Sequence, residues 1–373
     1  MASRRSKFKL QKLKAMIINA IKIKDFTGQN IYVGIDTHHK NWTVSIYSDE
    51  FELKTFSQQP DVHQLEKYLL KNYPGANYHL AYEAGFSGFW IHRLFAKRNI
   101  RCDVIHPADV PSSDKEVKRK TDKVDSRKIA RGIKNRELNV IYIPDEQQEA
   151  DRLLVRSRIN IVHDVTAIKN RIKAFLKVRG IPVPPSYKSG NWSSSFIKWL
   201  SEIKIDEVSS KTVLMTYLEE MKFLMAAEKR LQLSIKALSC TEKYATNMNL
   251  LTTVPSIGLI AAMTLLTEIG NISRFKKLDH LCSYSGLTPN SDISGETHRI
   301  TGMSRRGNPF VKTILIECAW MAIRKDPALL LYYKQLLPRM NCNKAIIKVG
   351  RKLLNRIRYV LINQKEYVKG VIG

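Results

Sequence analysis

Ile31-Tyr-Val-Gly-Ile-Asp36-Thr-His-His-Lys-Asn-Trp-Thr-Val-Ser-Ile-Tyr47 joins an apolar run, one acid, a short polar stretch and an alternating run. This pattern predicts a strand ending on Asp36, a turn, and a second strand that pairs back as a hairpin. Farther along, Tyr78-His-Leu-Ala-Tyr-Glu83 is another short apolar run ending on an acid, followed by Ala-Gly-Phe-Ser-Gly. Lys120-Thr-Asp122-Lys-Val-Asp125-Ser-Arg-Lys-Ile-Ala-Arg131 has helical character, and its i, i+3 spacing puts Asp122 and Asp125 on one helix face. Four hard oxygen donors delivered by two strands and a helix suit a pair of Mg²⁺ ions, or Mn²⁺ in their place, clamping an in-line phosphoryl displacement. Asp36, Glu83, Asp122 and Asp125 are therefore candidate metal ligands and catalytic groups. Each has an ordinary reading as a turn residue, a surface acid or a partner of nearby Lys and Arg. Asp103 and Asp109 lie close enough in sequence to substitute. It is the four together, in this order and at these spacings, that point to chemistry on nucleic acid.

Composition agrees. The 373 residues carry 62 Lys and Arg against 34 Asp and Glu, a net charge of +28, and 44% hydrophobic content supports sizeable cores. A charge that large points to a polyanionic partner, bound by phosphate neutralisation and counterion release. It is also clustered: residues 1–24 hold eight Lys or Arg and no acid, residues 114–136 hold ten against four acids, and residues 341–373 hold eight against Glu366 alone. Five widely spaced cysteines with no CxxC pair argue against a zinc site or a disulfide framework and for a reducing compartment. No apolar run approaches the roughly 18–20 residues that span a bilayer. The acid-free N-terminus allows a transit peptide, but a nucleic-acid-binding arm fits it better.

Residues 30 to about 144 read as α/β, with strands near 31–36, 42–47, 78–82, 101–105 and 139–143 and helices over 61–72 and 88–97. That order fits an RNase H-like layered sheet. A strand with Gly-Ile-Asp also opens sugar-kinase and actin-like folds, but those need Gly-rich phosphate loops that are not found here. From Gln147 the pattern changes to long helices. Ile161, Val165, Ile168, Ile172 and Phe175 form a heptad seam that Gly180-Ile-Pro-Val-Pro-Pro breaks. Leu214, Tyr217, Met221, Leu224, Leu231, Ile235 and Leu238 fall near the same spacing. Two such helices suggest an antiparallel coiled-coil arm or a dimerisation element, or else ordinary packing in a bundle. Beyond about 245, Val254-Pro-Ser-Ile-Gly258 resembles a helix–hairpin–helix turn, where a helix opening can hold a phosphate.

A second cluster runs from Ser285-Gly-Leu-Thr-Pro289 through Ser291 and Ser294-Gly295 to Arg299 and Ser304-Arg-Arg-Gly-Asn308, which opens an apolar helix over 311–323. A serine beside glycine among Arg299, Arg305 and Arg306 is placed to meet a phosphate, which arginines bind in a bidentate fashion. Its hydroxyl could attack phosphorus to form a covalent intermediate. Serines in such stretches more often shape turns or cap helices.

The order of these motifs resembles the DEDD-type insertion-sequence transposases, a class that includes bridge-RNA-guided serine recombinases. The resemblance covers roughly residues 30–335. It rests on Val-Gly-Ile-Asp36, Glu83-Ala-Gly, Lys120-Thr-Asp122-Lys-Val-Asp125-Ser, Val-Pro-Ser-Ile-Gly258, Gly286-Leu-Thr-Pro289, Ser294-Gly295 and Arg305-Arg-Gly-Asn308. It implies a RuvC-like (RNase H fold) domain over 30–146 after a basic arm over 1–29. A coiled-coil helical linker over 147–244, a mostly helical C-terminal transposase domain over 245–340 and a basic tail over 341–373 complete the chain, an α/β plus all-α architecture. Asp36, Glu83, Asp122 and Asp125 would hold the metal, and Ser294 would be the nucleophile. The family often has two serines before the glycine where this chain has Ile293-Ser294, so Ser291 is the fallback. The resemblance also implies a composite site shared between protomers of a dimer or tetramer, and a structured guide RNA that supplies target specificity. Lys118, Arg119, Lys120, Lys123, Arg127, Lys128, Arg131, Arg299, Arg305 and Arg306 would contact nucleic-acid phosphates.

The resulting expectation is a site-specific DNA recombinase of an insertion sequence, cytoplasmic, nucleoid-associated and prokaryotic, without membrane attachment. Two rivals stand beside it. A junction-resolving nuclease would use the same acids to activate water, and a non-catalytic nucleic-acid-binding protein would be indifferent to Asp36→Ala.

Overall fold

The computed structural model describes residues 25–110, 122–187, 192–294, 297–304 and 306–369, with only the backbone described over 290–301. Two compact units emerge, residues 1–143 and 144–373.

The first unit is built on a five-stranded sheet of order β3-β2-β1-β4-β5. Its strands are β1 (Asn30–Thr37), β2 (Trp42–Tyr47), β3 (Glu52–Gln58), β4 (Asn77–Glu83) and β5 (Arg101–Ile105). β1 and β2 form the expected hairpin, β3 extends it antiparallel, and β4 and β5 run parallel to β1. Helices α1 (Val62–Asn72), α2 (Trp90–Ala96) and α3 (Asp122–Lys134) complete the layers. Asp61 starts α1 by accepting a hydrogen bond from the His63 amide at 2.7 Å, an ordinary N-cap. Ile31, Val33 and Ile35 of β1 are wholly buried, with Val44 and Ile46 of β2 and Leu80 and Tyr82 of β4.

Two strand expectations change. The sequence reading passes over β3, because Glu52-Leu-Lys-Thr-Phe-Ser-Gln is a mostly polar edge strand. Residues 139–143, read as a strand, are held at the opposite edge by a single bridge, Ile105 to Val140, and by the Ile141 amide bonded to the Val104 carbonyl at 2.9 Å. Val140 and Tyr142 remain about half exposed, so the segment has too little buried surface to build a ladder.

In the second unit, the long helices α4 (Glu146–Val178) and α6 (Val208–Ser239) pack along each other, with α5 (Ser194–Glu202) between them in sequence. Arg158 pairs with Glu228 at 2.7 Å, Arg171 with Glu220 at 3.3 Å and Arg179 with Glu207 at 2.5 Å. Rising numbers on one helix meet falling numbers on the other, so the pair is antiparallel. Val165, Ile168, Ile172, Leu176, Leu214, Leu218 and Met221 are buried between them. Leu176 and Leu218 occupy the seam where the sequence reading puts Phe175 and Tyr217, which pack at its margin.

The remaining helices are α7 (Glu242–Thr253), α8 (Leu259–Ile269), α9 (Leu278–Tyr284), α10 (Pro309–Ala322), α11 (Pro327–Leu336) and α12 (Cys342–Asn363). α7 and α10, with the long helices α4 and α6, pack around α8, which is buried from Ala261 to Ile269. The turn over 254–258 joins α7 to α8 with Ser256 in the left-handed region, φ 73°. Strands β6 (Pro289–Ser294) and β7 (Thr297–Met303) form a separate hairpin. Residues 341–373, read as a basic tail, mostly form α12. Ile346, Val349, Leu353, Leu354 and Ile357 of that helix are buried in the same core. Its apolar stripe at i, i+3, i+4 spacing is masked in sequence by the cations between.

Candidate metal centre and serine hairpin

Gly34 fixes the geometry of the first site. A Cβ there would lie 2.0 Å from the Ser126 carbonyl oxygen and 2.5 Å from the Ala130 nitrogen. Only glycine therefore lets α3 descend onto β1. The contact continues through buried Ser126, whose hydroxyl lies 2.8 Å from that of Ser45, which in turn lies 2.8 Å from the Thr55 hydroxyl. Gly34 and Asp36 share one face of the strand, so the helix seated on Gly34 carries its N-terminal Asp122 to the end of β1 where Asp36 projects.

The β1–β4 register sets Ile35 beside Tyr82, and Asp36 and Glu83 are the next residues of those two strands. The loop after Glu83 is tied back by the Ser87 hydroxyl donating to the Thr37 hydroxyl at 3.0 Å and by the Tyr82 hydroxyl donating to the Gly88 carbonyl at 2.9 Å. Asp122 and Asp125 occupy the first turn of α3, where the helix dipole favours carboxylates. Asp125 also lies 3.7 Å from the Lys128 ammonium.

His38 adds a donor the sequence reading does not include. Its Nε2 lies 3.4 Å from a carboxylate oxygen of Asp36 and 3.4 Å from one of Asp122. Among the described residues, Asp36, His38 and Asp122 form a group whose ligand atoms all lie within 4.8 Å of one another. An ion about 2.0–2.3 Å from each donor separates neighbouring donors by about 3 Å and opposite ones by a little over 4 Å. The donor set therefore fits one divalent ion. Glu83 and Asp125 lie outside that tightest group. The signal for His38 was its i, i+2 relation to Asp36 ahead of the turn, which the His38 amide closes by donating to the Asn41 carbonyl at 3.1 Å.

In the second unit, Ser294 ends β6 and is paired in register with Thr297, while Ser291 lies opposite Ile300. The stretch that carries both serines thus forms an antiparallel hairpin, and Gly295 and Glu296 lie outside the described residues. Two glycines seat its base. A Cβ on Gly307 would lie 2.1 Å from the Gly286 Cα and nitrogen, and Gly286 itself has φ 65°. The Ser304 amide donates to the Thr288 carbonyl at 3.0 Å, and the Asn308 amide to the Tyr284 carbonyl at 2.7 Å. Asn308 also caps α10 through its side-chain oxygen.

Beneath this base lies Glu268, 1% exposed. Its carboxylate accepts from Arg156 at 2.5 and 2.8 Å and from the Asn308 side-chain amide at 2.7 Å. Glu268 thus links half-buried Arg156 of α4 to Asn308. The sequence reading misses it because Glu268 sits in an otherwise apolar helix far from its partners.

The proposed phosphate contacts divide. Lys123, Arg131 and Arg306 are exposed. Arg127 is engaged with Glu52 at 2.8 Å. Lys128 is 7% exposed, with its ammonium 3.7 Å from Asp125. Lys118, Arg119, Lys120 and Arg305 lie outside the described residues, and Arg299 has only its backbone placed. Among the described residues, no helix is long and apolar enough to cross a membrane.

Comparison with known proteins adds an independent line. Residues 33–179 match the DEDD-type IS110 transposase family, and residues 248–334 match the family described as Transposase IS116/IS110/IS902. The chain is 31% identical over 242 residues to y4qE of Sinorhizobium fredii, named as a candidate transposase; the match covers 65% of this chain and 58% of that protein. The chain thus spans little more than half the length of that relative. It is 23% identical over 287 residues to the transposase for insertion sequence element IS1111A of Coxiella burnetii, covering 76% of this chain and 77% of that one. It is 31% identical over 130 residues to the pilin gene-inverting protein of Moraxella bovis, covering 34% and 40% respectively. With the sheet-based N-terminal part and the helical C-terminal part each matched, the chain belongs to the family of DEDD-type insertion-sequence transposases.

Proposed function

We propose that the protein cuts and rejoins DNA as the transposase of an insertion sequence. The observation that carries this reading is the convergence of Asp36 and Asp122, from a strand end and a helix start, beside Glu83 in a DEDD-type chain. A gene-inverting relative favours recombination over simple cleavage. Asp36, Glu83, Asp122 and Asp125 hold Mg²⁺ or Mn²⁺, which would polarise the scissile phosphate and neutralise the charge that develops on it.

Ser294 is the nucleophile, with Ser291 as its fallback. Its oxygen bonds to phosphorus as the bond from phosphorus to one deoxyribose oxygen breaks, and the hydroxyl proton leaves for solvent while the released oxygen gains one. The phosphoserine link conserves the bond energy, so attack by a new deoxyribose hydroxyl rejoins the strand and frees the serine. Arg299, Arg305 and Arg306 would meet the phosphate, with Lys118, Arg119, Lys120, Lys123 and Arg131 along the nucleic-acid backbone. The acids and the serine come from different protomers of a dimer or tetramer, and a structured guide RNA chooses the target by base pairing. The protein acts in the cytoplasm at the nucleoid.

Circle-junction PCR in cells carrying the gene with its native flanking DNA tests this. Junction product from wild type that is lost in both Ser294→Ala and Asp36→Asn, at equal protein levels, supports the reading. Product from Ser294→Ala moves the nucleophile to Ser291 or to metal-activated water, and strand cleavage without a covalent protein–DNA species selects a junction-resolving nuclease.

A further inference from the structure

We infer that His38 is a direct nitrogen ligand of the metal, making this centre mixed imidazole–carboxylate and giving it a preference for Mn²⁺ over Mg²⁺. The inference rests on the proposed function, in which Asp36 and Asp122 hold a metal, and it goes beyond it by adding a ligand of different chemistry.

Three observations carry it. His38 Nε2 is equidistant, at 3.4 Å, from carboxylate oxygens of two acids that come from different elements, the end of β1 and the start of α3. That separation matches neighbouring positions in the shell of one ion of radius appropriate to about 2.1 Å bonds. His38 is also directed by the fold. It stands two residues after Asp36, on the same side of the chain, and its amide closes the turn of the β1–β2 hairpin on Asn41. The hairpin therefore holds imidazole and carboxylate side by side before any ion arrives, which lowers the ordering cost of binding. Finally, Glu83 and Asp125 lie outside the group of atoms within 4.8 Å, so the tightest set on offer is two oxygens and one nitrogen.

The chemistry follows from the donor type. Mg²⁺ is hard, keeps its waters and is served by carboxylates; imidazole suits Fe²⁺, Ni²⁺, Cu²⁺ and Zn²⁺ best, and Mn²⁺, which shares the carboxylate preference of Mg²⁺, is larger, sheds water more readily and accepts a nitrogen donor better than Mg²⁺ does. A nitrogen in the shell raises affinity for Mn²⁺ with little gain for Mg²⁺. The neutral ligand also leaves less negative charge near an approaching phosphodiester than a third carboxylate does.

The test uses the purified full-length protein, Mn²⁺ and Mg²⁺ alone, and no activity readout. Electron spin-echo envelope modulation of the Mn²⁺-loaded wild type is expected to show coupling to a directly bound ¹⁴N, and His38→Ala is expected to remove it. Calorimetric titration should show His38→Ala weakening Mn²⁺ by about tenfold or more, the scale on which ligand-shell changes act, while Mg²⁺ stays within about threefold. A Mn²⁺ ion that binds wild type without nitrogen coupling, or with coupling that survives in His38→Ala, overturns the inference and leaves the carboxylate reading intact. Asp36→Asn separates the two: it should abolish binding of both ions. If binding of both survives in Asp36→Asn, the metal reading itself fails and takes the His38 inference with it.

Discussion

At Gly34 and Gly307 a single hydrogen in place of a methyl group decides whether a functional element can sit where it does. Gly34→Ala would drive a methyl into the Ser126 carbonyl, a backbone atom with no rotamer to escape into. We expect a loss of about 3 kcal/mol or more, the upper end for overpacking, read as a lower urea midpoint, and loss of Mn²⁺ binding because Asp122 moves off Asp36. Gly307→Ala meets the Gly286 backbone in the same way but in the other unit. It should abolish strand exchange and lower stability while Mn²⁺ titration of the first unit stays at the wild-type value. Equal loss of metal binding in both variants would show that the two close approaches are not independent. Both glycines lie in motifs legible from sequence, Val-Gly-Ile-Asp36 and Arg305-Arg-Gly-Asn308. Their reason, a close approach between elements distant in sequence, was not legible, because no local pattern reports what lies opposite a glycine.

Among the elements, the sequence reading did best where periodicity and burial coincide. β1 and β4 were found as short apolar runs ending on an acid, β2 as an alternating run and α1 by its amphipathic spacing, and each buries the apolar residues that carry its pattern. β3 was missed because an edge strand with one polar face looks like a loop, and 139–143 was overread because apolar residues that stay half exposed still look like a strand. The acids at strand ends were legible as ends of apolar runs; His38 offered only its i, i+2 relation to Asp36, and its closeness to Asp122, which arrives from α3, was not legible. α12 was hidden by its own cations, and its anchoring carries a pH prediction. Asp326 caps α11 and is fully buried, with Arg356 at 3.0 Å and the Tyr367 hydroxyl donating to it. Burial pushes its carboxyl up, but the hydrogen bonds from Tyr367 and from the Leu329 and Ala328 amides, with the Arg356 charge, outweigh that and hold it below the ordinary value. A depressed folded pKa means that the stability Asp326 contributes is present above its unfolded pKa, about 3.9, and is lost as pH falls through the folded value. Asp326→Asn keeps a capping oxygen but leaves Arg356 without its buried counter-charge, and should cost about 3–5 kcal/mol near pH 7. Urea midpoints taken from pH 6 down to pH 3 should fall more steeply below about pH 4 in wild type than in Asp326→Asn; parallel curves would remove Asp326 from the account.

For the whole molecule, a net charge of +28 and two sites on separate units make different demands, and each has its own measurement. Charge alone gives affinity without choice of sequence. Replacing exposed Lys123 and Arg131 by Ala should flatten the slope of log affinity against log salt by about 0.9 for each duplex phosphate no longer neutralised, and by equal amounts on unrelated DNA sequences. The second demand is assembly. If each reaction centre combines the acids of one protomer with the serine of another, a mixed dimer of Asp36→Asn and Ser294→Ala chains contains one centre with both lesions and one with neither. If each centre is built within one chain, every centre in that mixture carries a lesion. Neither variant alone should yield circle junctions, and co-expression of the two should restore them, at up to about half the wild-type level per mixed dimer. The outcome is independent of how the units are placed, because it turns only on which chain supplies each group. Restoration requires that groups cross between chains. Its absence, with both variants present and co-purifying with wild type, would place acids and serine on the same chain and leave the helical pair α4–α6 a structural arm and not the means of sharing a site.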